Sequence, residues 1–226
     1  MKCLSVSALA CLLMVFLDFT SISAQEMNST VITADDWAEG EVPKEVFVVD
    51  GTVKIAALEG NKAIVVDPNP ITDASAQLAT SAAGNASIEA KVFAIKRGRS
   101  TPRFGVSVHG MSGHRLLVNP AKKLIELVRN DQTLASIPYT WASEVWLKLK
   151  LEAKKGEGTA WSITGKAWPA DAAEPAEPQI KHEDKGLKGQ GKCAVWATPF
   201  SGEPVYFDDI KISVESAAAP AAPPST

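Results

Sequence analysis

The side chains able to do chemistry are few in this chain, and their spacing argues against catalysis. Its three histidines, His109, His114 and His182, show no metal-ligand spacing, so no zinc site is expected. The acidic pairs Asp35-Asp36, Glu183-Asp184 and Asp208-Asp209 are each made of adjacent residues. Neighbours on a strand point to opposite faces, and such a pair cannot converge on one substrate as acid and base. Of the three cysteines, Cys3 and Cys11 fall within residues 1–24 and are expected to leave with a signal peptide. Cys193 then stands alone in the run Cys193-Ala-Val-Trp196, where a free thiol serves as a small buried hydrophobe. The segment Arg103-Phe-Gly-Val-Ser-Val-His109 is more suggestive. Arg103, Gly105, Ser107 and His109 share one side of an extended strand, and small residues between an arginine and a histidine describe the floor of a groove. They describe equally a solvated sheet face crossed by charge pairs, each worth roughly 0.2 to 1 kcal/mol.

The elements that must position these residues read as strands throughout. Runs rich in Val, Ile, Leu, Phe and Trp cover 45–49, 52–57, 62–66, 75–79, 87–96, 103–109, 114–118, 122–128, 132–137, 145–152, 158–168, 192–198 and 204–214. Turn chemistry lies between them, as at Asp50-Gly51, Asn119-Pro120 and Asn130-Asp131, and a spacing of about 8 to 12 residues is that of an antiparallel sandwich or barrel. Alternation assigns the faces: Leu147, Leu149 and Leu151 against Trp146, Lys148 and Lys150, and Ile88, Ala90 and Val92 against Glu89, Lys91 and Phe93. The best helical candidate, Thr72 to Ala83, has no apolar stripe of 3.6-residue period. Residues 169–190 form a long, polar, Pro-rich connection expected to run extended over a sheet edge. The fold expected is all-β, a two-sheet antiparallel β-sandwich over residues 31–214.

The N-terminus carries the address. Lys2, the apolar run from Leu4 to Phe19 and the small residues Ser21-Ile-Ser-Ala24 make a signal peptide over 1–24, cut before Gln25. Asp18 shortens the apolar run below the ~18 to 20 residues of a spanning helix, so export without stable membrane insertion is expected. Residues 25–30 are a lead-in, and the Ala/Pro-rich stretch 215–226 is a disordered tail. A net charge of −3 gives no reason to expect nucleic acid or an anionic membrane surface as partner. Lys96-Arg97-Gly98-Arg99 reads as a solvated hairpin turn, and Asn28 and Asn85 stand in glycosylation sequons.

Taken in order, Thr101-Pro-Arg-Phe-Gly-Val-Ser-Val-His109, His114-Arg-Leu-Leu-Val118, Glu144-Val-Trp-Leu-Lys-Leu-Lys-Leu151, Gly165-Lys-Ala-Trp-Pro169 and Tyr206-Phe-Asp-Asp-Ile-Lys-Ile212 resemble the concanavalin A-like lectin/glucanase jelly roll. The chain is similar, more narrowly, to the laminin-G-like, family-16-type domains of exported bacterial proteins. The resemblance implies two antiparallel sheets and carbohydrate as the ligand class. The Glu-x-Asp-x-x-Glu strand of family-16 glycosidases is absent, since Glu89 is followed by Ala90 and Lys91, and Glu126 by Leu127 and Val128. Exposed aromatics could still stack on a sugar. Trp37, Trp141 and Trp168 stand beside turns, whereas Trp161 and Trp196 lie in apolar strands and are expected in the core. The expected ligand-binding set is Glu89, Arg103, His109, Arg115 and Trp168. Related jelly rolls hold a structural calcium at the closing strand, which makes Asp36 and Asp208 the candidates for one; no other cofactor is expected. The leading reading is a non-catalytic exported module that binds glycan or serves a structural role at the cell surface or in the periplasm. A hydrolase or lyase acting on a sugar derivative, and a protein-interaction module of laminin-G-like type, stand as alternatives.

Overall fold

A computed structural model describes residues 27–215; the signal segment 1–24 and the tail beyond 215 lie outside the described residues. Fifteen strands follow one another: β1 (Met27–Ile32), β2 (Val46–Asp50), β3 (Val53–Leu58), β4 (Asn61–Val66), β5 (Ala74–Ala82), β6 (Ala86–Ala94), β7 (Arg103–Val108) and β8 (His114–Asn119). Then come β9 (Leu124–Arg129), β10 (Gln132–Pro138), β11 (Leu147–Lys155), β12 (Trp161–Pro169), β13 (Ile180–Asp184), β14 (Gly191–Thr198) and β15 (Val205–Glu215). Their pairing is antiparallel throughout. One sheet has eight strands, in the order β13-β12-β11-β6-β15-β4-β3, with β1 also on β15; the other has seven, in the order β10-β9-β8-β7-β14-β5-β2. The expected all-β, two-sheet sandwich is the fold observed.

Alternation decides what lies between the sheets. From the seven-stranded sheet, Phe104, Val106 and Val108, Leu116 and Val118, and Cys193, Val195 and Ala197 point inward; from the eight-stranded sheet come Ile88, Ala90 and Val92 with Leu149, Leu151 and Phe207. Burying aliphatic side chains of this size contributes roughly 1.5 to 3 kcal/mol each before entropy is counted. The closing strand β15 pairs with β1 from Met27↔Glu215 to Ile32↔Ile210 and with β6 on its other side. Its register slips between Asp208 and Lys211, where Asp209 takes a left-handed φ of 46°. That bulge lets one strand pair with β4 over its first residues and β1 over its last.

One expectation changes and one is borne out. The strand read at 75–79 is β5, whose alternate Ala74, Ala76 and Leu78 are buried while the strand pairs with β2 and β14, so residues 72–83 form no helix despite their alanine content. The connection 169–190 is extended, but it also contributes a strand. β13 pairs with β12 from Trp161↔Asp184 to Gly165↔Ile180, and Glu174 fixes the preceding stretch by accepting from Lys166 at 2.7 Å and Lys150 at 3.1 Å.

Candidate site on the open face of the seven-stranded sheet

The register of the seven-stranded sheet builds its outward face in rows. One row runs Phe47, Gln77, Ala194, Ser107, Arg115, Val128; the next runs Ser75, Trp196, Gly105, Leu117, Glu126. Beside the large Trp196 stands a residue with no side chain. The indole packs with Leu117 and Val128, which lie beyond Gly105 in the sheet, and it is 3% exposed. A Cβ at Gly105 would collide with the Leu116 carbonyl and approach the Leu117 side chain to 2.8 Å. Over the indole lie two guanidinium groups, Arg103 at 4.8 Å and Arg115 at 5.5 Å from its centroid. Such stacking contributes roughly 0.5 to 2 kcal/mol per pair and holds both cations in place. The Nε atoms of Arg103 and Arg115 are buried without a hydrogen-bond partner, and the indole face is their electrostatic partner.

Turns raise a rim around this platform. The hairpin between β9 and β10 is made by Asn130 and Asp131, both left-handed (φ 48° and 59°), the geometry of a two-residue primed turn. It places Asp131 2.8 Å from Arg115. Between β7 and β8, a single 3-10 turn, Gly110–Ser112, presents Met111. Asp73, just before β5, accepts from the Thr198 hydroxyl at 2.5 Å and lies 3.4 Å from Arg103. Together with Val49, Asp50 and Ser75, these groups enclose an open cavity of about 580 Å³ over Arg115 and Trp196. Deeper on the face, Glu126 is nearly buried. Burial alone would raise its carboxyl, but hydrogen bonds from Asn119 at 2.8 Å and Lys122 at 3.0 Å outweigh it and hold the group ionised below its ordinary range.

Of the residues expected to bind ligand, the fold brings Arg103 and Arg115 together here. Glu89 is elsewhere: it projects from β6 on the outer face of the eight-stranded sheet, in register with Lys150 and Lys211 and 3.8 Å from Lys148. Trp168 is on that same sheet, 4% exposed. His109 begins on the parity of the open face, but its left-handed φ of 61° turns it inward. Its Nε2–H donates to the Gly84 carbonyl at 2.7 Å, its ring meets Trp161 edge-on, and burial lowers its pKa. Trp37 and Trp141, expected beside turns, pack partly buried against the core, the latter edge-on to Phe104, and neither lines the cavity over Arg115. Trp196 is buried, as its apolar strand implied, but in a small cluster with Leu117 and Val128 on the open side of the sheet, apart from the main core. The cue to its place was parity: it alternates with Val195 and Ala197, which face inward.

The two calcium candidates, Asp36 and Asp208, have different described neighbours. Asp35 is the N-terminal aspartate whose charge reaches Asp208, and Asp36 instead lines a separate cavity with Trp37 and Glu45. Lys62 Nζ already donates to the carbonyls of Asp35 and Trp37, at 3.0 and 2.8 Å, and Lys91 pairs with Asp209 at 2.5 Å. Among the described residues no three acidic, histidine or cysteine side chains gather around one point.

Behind the rim lies a buried charge cluster. Arg129 donates to Asp184 at 2.6 Å, to the Gly186 carbonyl at 2.9 Å and to the Ser112 carbonyl at 3.1 Å, which ties β13 to the turn that carries Met111. His114, with no exposure, has its Nε2 3.0 Å from Asp184 Oδ2 without the alignment of a hydrogen bond. Burial pushes its pKa down to about 4 despite Asp184.

No protein-family model and no curated protein matches the chain. Solved structures do. The chain is similar to the carbohydrate binding module CBM66 from Bacillus subtilis, with a TM-score of 0.52 and 17% identity over 76% of this chain and 96% of that one. It is also similar to lectin II from Ulex europaeus (TM-score 0.53, 9% identity, 84% and 99% covered) and to the marine PL-14 alginate lyase from Aplysia kurodai (0.52, 9%, 75% and 90%). Identities this low speak for the fold alone, and the fold is that of the lectin-like β-sandwiches, consistent with a concanavalin-like jelly roll.

Proposed function

We propose that the protein is an exported glycan-binding module whose ligand lies in the open-face cavity over Arg115 and Trp196. The observation that carries this reading is the convergence there of fixed donors and acceptors. Arg115 is held by the indole and Asp131, and Asp73 by Thr198, so the donors and acceptors that meet sugar hydroxyls are set before the ligand arrives. Val49, Met111 and the edge of Trp196 supply apolar surface for the carbon face of a sugar ring. Binding rather than hydrolysis is favoured because the Glu-x-Asp-x-x-Glu strand is absent from the sequence, and the buried carboxylate of the face, Glu126, is engaged by Asn119 and Lys122. Export rests on the signal segment 1–24; among the described residues no helix is long and apolar enough to cross a membrane.

The test is a glycan array and affinity-gel screen of the purified protein beside Arg115→Met. Retention by at least one glycan, weakened roughly tenfold or more by the substitution, is expected from loss of a charged hydrogen-bond donor. Absence of retention on every glycan overturns the proposal. Capture of one protein and no sugar, lost in Arg115→Met, transfers the surface to the laminin-G-like alternative.

A further inference from the structure

The ionic balance of the open-face cavity bears on which glycans it accepts, an inference that rests on the glycan reading above. Each guanidinium on the face already has a carboxylate of its own. Arg115 meets Asp131 at 2.8 Å, and Arg103 lies 3.4 Å from Asp73 while its charge also bears on Glu126. Lys122 is spent on Glu126 at 3.0 Å, and Lys192, near Gly110, does not line the cavity. Asp50 is left over. Its Oδ1 accepts from the Gly51 amide at 2.7 Å, and no cation pairs with it among the described residues. Asp50, Asp73 and Asp131 therefore line the cavity with Arg115 as the only lining cation.

A uronate or sulfate entering this space meets no uncompensated cation and one uncompensated carboxylate. Desolvating an anion there has no return, whereas hydroxyl groups find fixed donors and acceptors and an ammonium group finds Asp50. We infer that the site selects uncharged or amino-bearing sugars and excludes acidic ones. Arg115 acts as an oriented hydrogen-bond donor, not as an anion receptor.

The experiment is an array carrying neutral, amino-bearing and acidic glycans, followed by affinity gels of a neutral glucan, chitosan and polygalacturonate at low and high salt. At low salt, the neutral or amino-bearing chain is expected to bind at least about fivefold more tightly than its acidic counterpart, with the gap narrowing at high salt as charges are screened. Asp50→Asn should raise the acidic-to-neutral affinity ratio by about fivefold. Preference for the acidic chain, lost in Arg115→Met, overturns the charge rule and leaves the glycan reading standing. Silence across the array, or binding that Arg115→Met leaves unchanged for every chain, removes the glycan reading at this face and the rule with it.

Discussion

Trp196 sits opposite Gly105 in the sheet, and the missing side chain is what lets the indole pack with Leu117 and Val128 beneath Arg103 and Arg115. Gly105→Ala forces the Leu116 backbone to move, because a Cβ there collides with its carbonyl. A loss of roughly 1 to 3 kcal/mol in stability is expected, as for other overpacked interiors. Urea unfolding measures it, and the near-ultraviolet dichroism of the tryptophans should change with it. An unaltered signal together with wild-type stability would mean that the indole does not depend on Gly105.

Acid should destabilise the protein as the pH falls below 6.5. His114 has its pKa depressed from 6.5 to about 4 in the folded state, so between those values the unfolded chain binds the proton and the folded chain does not. Stability is complete above 6.5 and is lost as the pH falls to about 4, by about 3 kcal/mol from this group alone. His109, also lowered by burial, adds to the loss in the same direction. Below that window Asp184 continues it: burial would raise its carboxyl, but Gly186 and Arg129 outweigh burial and hold it low. Urea midpoints from pH 7.5 to 4 test this, and His114→Leu should flatten the slope. A slope identical in the variant would remove His114 as its source.

The sandwich was legible because its strands alternate strictly: Phe104, Val106 and Val108 inward, Arg103, Gly105 and Ser107 outward. Arg103 and Arg115 could be placed at the site for the same reason. His109 could not, because a left-handed residue at the strand's end reverses its direction, and a single histidine carries no sign of φ. Burial of Trp196 was legible from its apolar neighbours, but its seat was not: Gly105 lies beside it in the sheet on β7, seven strands earlier in the chain. β13 was hidden within a Pro-rich stretch because its pairing partner β12 lies on the other side of that stretch. Glu89 and Arg103 are both outward-facing on their own strands, and strand parity cannot tell which sheet each strand will join.

Cys193 should be inert in the folded protein. Burial pushes its thiol up to about 12, so at pH 8 roughly one molecule in ten thousand carries the reactive thiolate. A thiol reagent added to the native protein is expected to label it only on the timescale of unfolding, and fully in urea. Stoichiometric labelling within seconds under native conditions would contradict the burial of this side chain.

The link between Arg129 and Asp184 joins the two sheets behind the Met111 turn, and its partners are mostly shielded from water. Asp184→Asn leaves the Arg129 guanidinium with carbonyl acceptors only, at an expected cost of about 2 to 4 kcal/mol for a buried cation without its counter-charge. Replacing both residues with apolar ones, Arg129→Met with Asp184→Leu, should cost clearly less than the sum of the single changes, because no charge is then stranded. A double-mutant cycle in urea reads the coupling, expected above about 1 kcal/mol. The same Asp184→Asn variant should lower the titration of His114 further, since Asp184 is the group that favours its protonated form. Additive single changes, or a His114 titration that does not move by NMR, would show that the cluster is three separate contacts and not one latch.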